Sequence, residues 1–349
     1  MTGEQTPFDA GYRWPAEWEP HAATWLSWPH NRETWPGKFD AILPQFTEFV
    51  RTIAEFEPVH ILAGGDAVRA DVEAHVGQIS NVILHDIETN DAWARDHGPT
   101  FLVGPAGSPP ALIDWQYNAW GGKYPPFDKD NAVPKRIAEI LGFRRFAPDF
   151  ILEGGAIDGN GEGTILTTAS CLLNPNRNPG RSRNAVECFL ADYLGAKKVL
   201  WLTGGEIVGD DTDGHIDQLA RFVNANTVIA AVENDPADDN HAALAKNLQQ
   251  LQSLTDHQGR PLDIIPLPMP RPLYYEKHRL PASYLNFYIA NGAVIVPQFN
   301  DPADRVAVQT LVERFPDRQI RGLSAVDLVW GLGAFHCLSQ QQPATDNVV

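Results

Sequence analysis

The sequence predicts a mixed α/β fold, and three observations lead to that prediction. About twelve short apolar or β-branched runs, typical of strands, alternate along the chain with about six stretches of helical spacing. No Pro- or Ser-rich linker and no block of like charge divides the chain, so we expect residues 1–349 to form one domain. A group of strands followed by one helix recurs roughly every 60–75 residues, which indicates a ring of equivalent units.

The helical stretches place their apolar side chains on one face. They span residues 39–57, 67–76, 132–141, 184–194, 239–254 and 304–315. Strands are expected, among others, at 100–103, 164–173, 216–223, 284–296 and 335–339. The Pro-rich stretch 266–272 is expected at a sheet edge or in a rim loop, because proline cannot donate a ladder hydrogen bond.

The chain is acidic, with 27 Lys and Arg against 44 Asp and Glu and a net charge of −17. This charge disfavours nucleic acid and anionic membranes as partners, and it favours small cationic ligands. No apolar run approaches the length that spans a bilayer, and residues 1–20 lack the features of a signal peptide. We therefore expect a cytoplasmic protein.

The three cysteines are too few and too widely spaced for a disulfide framework, and no CxxC pair suggests a zinc site. A reducing compartment fits this pattern best. Cys171 and Cys188 are expected to be small core residues.

The most informative residues are acidic, His and Cys side chains in glycine-bordered turns beside apolar runs. They occur in four motifs, at 93–99 (WARDHGP), 153–155 (EGG), 209–217 (GDDTDGHID) and 331–337 (GLGAFHC). If a strand begins at His215, then His215 and Asp217 share one face of it. Each residue also has an ordinary structural explanation, such as a turn for Asp96 or a core position for Cys337. The acidic run at 210–213 resembles a calcium loop but lacks its glycine and distal glutamate.

Together these residues describe one kind of chemistry. A cysteine supplies a nucleophile, a histidine transfers protons, and several carboxylates hold a cation. A guanidinium suits such a site, because it is planar, permanently charged and matched to carboxylates by paired hydrogen bonds.

At these motifs the sequence resembles the agmatine deiminase family of the guanidine-modifying superfamily. The resemblance runs from Trp14 to Pro343, and it includes the stretches 114–122 (DWQYNAWGG) and 172–179 (LLNPNRNP). It implies a pentein fold, an α/β propeller of five ββαβ-like units around a pseudo-fivefold axis. The active site would lie in the central channel.

The resemblance also implies a role for each site residue. Cys337 would be the nucleophile, His215 the general acid and base, Glu153 the partner of His215, Asp96 and Asp217 the guanidinium ligands, Asp211 the contact for a distal amine and Trp93 a wall of the channel. The family pattern Gly-Gly-Gly-Asn-Ile-His-Cys is altered here at Leu332, Ala334 and Phe335. We therefore expect the family's catalytic set in a modified pocket.

The implied reaction is hydrolysis of agmatine to N-carbamoylputrescine and ammonia, through a thiouronium intermediate on Cys337 and without a metal or organic cofactor. Arginine, methylarginine and peptidyl-arginine are alternative substrates, although the acidic run at 210–213 favours a distal amine over a carboxylate. A pentein that only binds a partner is a remote alternative. The oligomeric state stays open, a homo-oligomer included.

Overall fold

Five small mixed sheets carry the fold in the computed structural model, which describes residues 5–345. We number the corresponding units 1 to 5 in chain order. In units 2 to 5 an antiparallel pair of strands is followed by a helix and by a third strand, which pairs in parallel with the second. This is the ββαβ order that the resemblance implies.

The strands of unit 2 are Thr100–Leu102, Ala111–Ile113 and Arg144–Phe146, and those of unit 3 are Ile157–Gly159, Thr164–Thr168 and Lys198–Leu202. The strands of unit 4 are Ala220–Phe222, Thr227–Val232 and Asp263–Pro268, and those of unit 5 are Tyr288–Ile289, Ala293–Gln298 and Gln319–Ser324. Their crossover helices are Asp128–Leu141, Arg183–Leu194, His241–Ser253 and Ala303–Arg314. A two-stranded hairpin, Tyr274–Tyr275 with His278–Arg279, lies between units 4 and 5 in sequence.

Unit 1 joins the two ends of the described chain. Its parallel strands are His21–Ser27, Val59–Leu62 and Val82–His85, linked by the helices Phe39–Ala54 and Asp66–Val76. Ser339–Pro343 pairs antiparallel with the first of these strands. Because this last strand begins two residues after Cys337, the pairing holds the cysteine against the start of the fold.

The predicted helices are confirmed, with ends shifted by a few residues. Two of them end where the sequence places glycine, at Gly142 and Gly195, whose φ angles of 65° and 70° are left-handed. The Pro-rich stretch begins within the edge strand Asp263–Pro268, as expected for residues that cannot donate ladder hydrogen bonds. No helix within residues 5–345 is long and apolar enough to cross a membrane.

Several predicted strands are wrong in the neighbourhood of the polar motifs. The stretch 216–223 starts with a 3-10 turn, Ile216–Gln218, and becomes a strand only at Ala220–Phe222. His215 and Asp217 therefore do not share the face of a strand. Residues 335–338 form a turn before the final strand, 169–172 form a helical turn, and 284–296 is interrupted between two short strands. In each case the apolar pattern reported burial correctly, but a tight turn buries the same residues as a strand would.

Candidate active site

Turns from different units bring the four polar motifs into contact. Asp96 lies on the helical turn Ala94–His97, and its Oδ1 accepts a hydrogen bond from the backbone of Gly155 at 3.0 Å. Cys337 Sγ lies 3.4 Å from Asp217 Oδ2, and His215 Nδ1 lies 3.7 Å from Asp96 Oδ1. The residues that the sequence analysis singled out at the catalytic centre therefore share one buried neighbourhood.

A cavity of about 1140 Å³ opens onto this neighbourhood. Trp93, Asp96, Asp211 and Cys337 belong to its wall. His215 is completely buried and lies behind that wall. A ligand in the cavity would thus meet Cys337 and Asp96 directly.

Cys337 is held by a residue that the sequence analysis missed. Asn286 Nδ2 donates to Cys337 Sγ at 3.0 Å, and Asn286 Oδ1 accepts from the backbone N–H groups of Ala334 and Cys337 at 3.0 and 3.1 Å. The backbone of His336 donates to the carbonyl of Asn286 at 3.1 Å. One asparagine therefore fixes the turn and the sulfur together. Its place in the predicted strand 284–296 gave no signal of this contact.

The turn before Cys337 contains one of the departures from the family pattern. Leu332 has a φ of 72°, in the left-handed region that favours glycine, and its side chain lines the cavity. A non-glycine residue in this region costs about 1 kcal/mol or more. The substitution therefore adds an apolar side chain to the cavity wall at a position where the backbone itself favours glycine.

The surroundings of Cys337 disfavour its thiolate form. Burial, together with the carboxylates of Asp217 and Asp96, raises the pKa of the Cys337 thiol well above its ordinary value. The Asn286 hydrogen bond acts in the opposite direction without reversing the result. At rest the residue is therefore a neutral thiol.

His215 lies close to Asp96, at 3.7 Å from Oδ1, and within 4.8 Å of donor atoms of Glu153 and Cys171. Burial opposes a charge on the ring, but Asp96, Cys171 and Glu153 outweigh it and raise the pKa of His215 well above its ordinary value. Neither ring nitrogen has a hydrogen-bond partner in the described chain. The ring is thus a protonated acid whose N–H groups have no acceptor in that part of the chain.

The two other cysteines differ from each other. Cys171 is buried as expected, whereas the expectation of a core position is wrong for Cys188, which is exposed on a helix.

Glu153 is near His215, but its firmest contact is with another residue. Arg177 Nε donates to Glu153 Oε1 at 2.6 Å, and Arg177 Nη2 donates to the carbonyl of Thr212 at 3.0 Å. Glu153 Oε2 has no hydrogen-bond partner within residues 5–345. Arg177 therefore neutralises Glu153 and links it to the 209–217 motif. Arg177 lies in the stretch 172–179, which is part of the family resemblance, but the resemblance assigned no role to this arginine.

Asp96 and Asp217 differ in how they are held. Asp96 Oδ2 accepts from Trp120 Nε1 at 3.0 Å, and burial is the main cause that raises the pKa of Asp96. Asp217 Oδ2 accepts from His336 at 2.7 Å, and although burial opposes ionisation, His336 holds the pKa of Asp217 below its usual value. The other oxygen, Asp217 Oδ1, is buried without a partner among the residues described. Asp217 is thus held as an anion, with Oδ2 3.4 Å from the sulfur and Oδ1 without a partner among those residues.

In the acidic run 210–213, one carboxylate belongs to the cavity wall. Asp210 holds its own turn by accepting from the backbone of Thr212 and Gly214 at 3.1 and 2.7 Å, and Asp213 pairs with Arg177. Asp211 lines the cavity and accepts a hydrogen bond from the phenol of Tyr124. The run is therefore a structural turn that presents a single acidic side chain to a ligand.

Within residues 5–345, one group of side chains has donor atoms close enough together for a metal ion. It consists of Glu153, Cys171 and His215, whose donor atoms lie within 4.8 Å of one another. The guanidinium of Arg177 already lies against this carboxylate. A second cation at the same place would be repelled by it. We therefore interpret Glu153 and Cys171 as the surroundings of His215 and not as metal ligands.

The fold and the site define a pentein enzyme with a buried cysteine as its candidate nucleophile. The chain has the same fold as a cyanobacterial arginine dihydrolase, with a TM-score of 0.53 and 13% identity over 93% of this chain and 41% of that one. The expected fold class is confirmed.

The sequence model described as Porphyromonas-type peptidyl-arginine deiminase matches residues 13–343. The agmatine deiminase of Pseudomonas aeruginosa is 38% identical over 97% of each chain. The structure of the agmatine deiminase of Enterococcus faecalis has a TM-score of 0.89 at 33% identity, covering 98% of this chain and 99% of that one. A cysteine-to-serine variant of the C. jejuni enzyme with substrate bound has a TM-score of 0.88 at 35% identity, covering 96% and 97%.

The chain belongs to the agmatine deiminase family, and it is a hydrolase of C–N bonds in amidines. The family resemblance stated from the motifs is thereby confirmed.

Gly155 provides a direct test of the site's geometry. A methyl group at this position would lie 2.6 Å from His215 Nδ1, 2.9 Å from Asp96 Oδ1 and 3.0 Å from Asp217 Oδ2. We expect Gly155→Ala to lower kcat/KM for guanidine hydrolysis roughly 100-fold, because displacements of about 1 Å in a catalytic site have effects of that size.

The matched control is Gly259→Ala, whose added methyl group would meet no atom of the described chain within 4 Å. Its positive φ costs about 1–2 kcal/mol in unfolding free energy. We expect it to keep full activity. Wild-type kcat/KM in Gly155→Ala would show that His215, Asp96 and Asp217 do not act together.

Proposed function

We propose that the protein hydrolyses agmatine to N-carbamoylputrescine and ammonia. The observation that supports this most strongly is the charge along one cavity, where Asp96 lies beside Cys337 and Asp211 provides a further carboxylate on the same wall. A guanidinium and an ammonium on one small molecule would match these carboxylates. The agmatine deiminases of P. aeruginosa and E. faecalis are similar over nearly the whole chain, which also supports the proposal.

In the first half of the reaction, the guanidinium binds between Asp96 and Asp217. Its positive charge removes the electrostatic cost of the thiolate, and the Cys337 thiol loses its proton to solvent. The sulfur attacks the guanidinium carbon and a C–S bond forms. His215 gives its proton to a departing nitrogen, the C–N bond breaks, ammonia leaves, and a thiouronium cation remains on Cys337.

In the second half, His215 is neutral and acts as a base. It takes a proton from water, and the resulting hydroxide adds to the thiouronium carbon. The C–S bond then breaks with its electron pair on sulfur, the hydroxyl proton passes to the thiolate, and the ureido product leaves with a C=O bond. His215 is again protonated and Cys337 is again a thiol.

Asp211 is the reason to prefer an amine at the far end of the substrate. Lys123, a cation of the same cavity wall, donates from Nζ to the backbone carbonyl of Asp211 and lies 3.0 Å from Asp213 Oδ1. Its charge is therefore directed to Asp213, and the Asp211 side chain is left to the phenol of Tyr124. An α-carboxylate would meet Asp211 unfavourably.

Peptidyl-arginine is the second candidate, and the size of the cavity favours it. At about 1140 Å³, the cavity is larger than the usual range of about 300–1,000 Å³ for small-molecule sites.

We also propose a reducing, cytoplasmic setting, because a working Cys337 must stay a thiol, and the cysteines are all free. A homo-oligomer stays a prediction.

Turnover of four guanidines tests the proposed function. The purified protein is incubated with agmatine, arginine, methylarginine and a blocked arginine peptide, and both ammonia and ureido product are measured. We expect agmatine to have the highest kcat/KM and Cys337→Ser to be inactive with every substrate. A folded protein that hydrolyses none of them, or that prefers the peptide, would contradict the proposal.

Asp211 is tested by a substrate comparison. If Asp211 binds the distal ammonium, Asp211→Asn should raise KM for agmatine at least tenfold, because a charge-assisted contact is worth roughly 1.5–3 kcal/mol. The same variant should hydrolyse a simple alkylguanidine, which lacks the amine, as well as the wild type does. Tyr124→Phe keeps the Asp211 charge and serves as the control, with a smaller effect expected. Equal losses on both substrates in Asp211→Asn would place the ammonium elsewhere.

A further inference from the structure

The ring of His336 lies between two carboxylates. Its Nδ1 is 2.7 Å from Asp217 Oδ2, and its Nε2 is 2.9 Å from Glu17 Oε2. Both hydrogen bonds are buried, since His336 is 2% exposed. An ionised carboxylate oxygen can only accept a hydrogen bond, so two ionised partners require a proton on each ring nitrogen.

Glu17 is held as an anion by contacts other than His336. Glu17 Oε2 also accepts from Arg221 at 2.7 Å, and Glu17 Oε1 accepts from the backbone of Ile289 at 2.8 Å. Burial opposes its charge, but Arg221 and His336 hold the pKa of Glu17 far below its usual value. On the other side of the ring, Asp217 Oδ2 is also the acceptor for the Cys337 thiol, whose Sγ lies 3.4 Å away, so this oxygen accepts from two donors. Both protons of the two hydrogen bonds therefore belong to the His336 ring.

The buried cluster around His336 is electrically neutral when His336 carries a positive charge. The carboxylates are Glu17, Asp158 and Asp217, and the cations are Arg95, Arg221 and His336. Arg221 Nε lies 2.5 Å from Asp158 Oδ2, and Arg95 Nη2 lies 3.7 Å from Glu17 Oε2. Cys337 Sγ lies 3.4 Å from Asp217, and Asp96 and His215, which are also near it, form a further pair of opposite charges. A neutral His336 would leave one buried carboxylate without its counterion, which is costly in a protein interior.

We propose that His336 is a positioning residue, fixed as an imidazolium by Glu17, which keeps Asp217 ionised and leaves its Oδ1 oxygen free for the guanidinium of the substrate. Glu17 precedes the first strand, and a ring nitrogen of His21 lies 2.7 Å from its backbone carbonyl. The segment before the first strand thus supports the catalytic centre through one carboxylate. The catalytic part of this inference rests on the proposed function, whereas the protonation of His336 does not.

The two ring protons can be observed directly. In protein labelled with ¹⁵N-histidine at neutral pH, we expect His336 as well as His215 to carry a proton on both ring nitrogens, and the signals of one such ring to disappear in His336→Asn. A ring of His336 with a single protonated nitrogen would overturn the proposal. Because no substrate is needed, this result is independent of whether the protein hydrolyses agmatine.

The pH dependence of kcat/KM for agmatine tests the positioning role. Activity rises with pH as Cys337 and the carboxylates beside it lose their protons, and a positive charge on His336 lowers the pH at which they do so. In Glu17→Gln and His336→Asn we expect this acid limb to move to higher pH by about one unit or more, as for loss of a neighbouring charge. Glu19→Gln is the matched control, because Glu19 pairs with Arg13 at a partly exposed site two residues further on, and its profile should not move.

A merely structural role would lower activity equally at every pH without moving the acid limb, and that result would overturn the proposal. Wild-type protein that turns over no guanidine would contradict the proposed function, and the ¹⁵N experiment would then decide the state of His336 by itself. If His336→Asn fails to fold, the ¹⁵N spectrum of His215→Asn, which lacks the other charged ring, identifies the signals of His336 instead.

Discussion

The structure depends on one constraint, which is the burial of three carboxylates around His215 and the Cys337 thiol. Buried carboxylates are tolerated when each is paired with a cation. Asp96 is accompanied by His215, Glu153 by Arg177 and Asp217 by His336. The pairing is nevertheless incomplete in hydrogen bonds, because Glu153 Oε2 and Asp217 Oδ1 have no partner in the described residues. A centre of this kind is stable enough to form and still suited to a ligand with several N–H donors and a positive charge.

The same centre explains why the two ends of the described chain must meet. Glu17 lies before the first strand, whereas His336 and Cys337 lie just before the last. Pairing of Ser339–Pro343 with His21–Ser27 brings these parts together, and Asn286 fixes the cysteine turn from unit 5. Closing the ring of units is thus also the step that assembles the nucleophile with its charged neighbours.

Much of this arrangement could be predicted from the sequence, and what could not has a physical reason. Helical periodicity located the helices, and the glycine-bordered motifs identified the residues that meet at the site. The turn at Ile216–Gln218 was mistaken for a strand, because hydrophobic alternation reports burial and not backbone shape. The partners Arg177, Asn286 and Glu17 were missed, because a supporting contact depends on tertiary structure. Glu17 and His336, for example, are 319 residues apart.

The charge around Cys337 makes the ionisation of its thiol the most direct test of this account. Thiolate absorbance is measured against pH in substrate-free protein, with Cys337→Ser as the blank that removes the signal of Cys171 and Cys188. Burial and the carboxylates predict a midpoint above the ordinary thiol pKa of about 8.5, and an unreactive amidine cation in the cavity should lower that midpoint. A midpoint well below pH 7 in the free protein would mean a resting Cys337–His215 ion pair, and it would contradict the account.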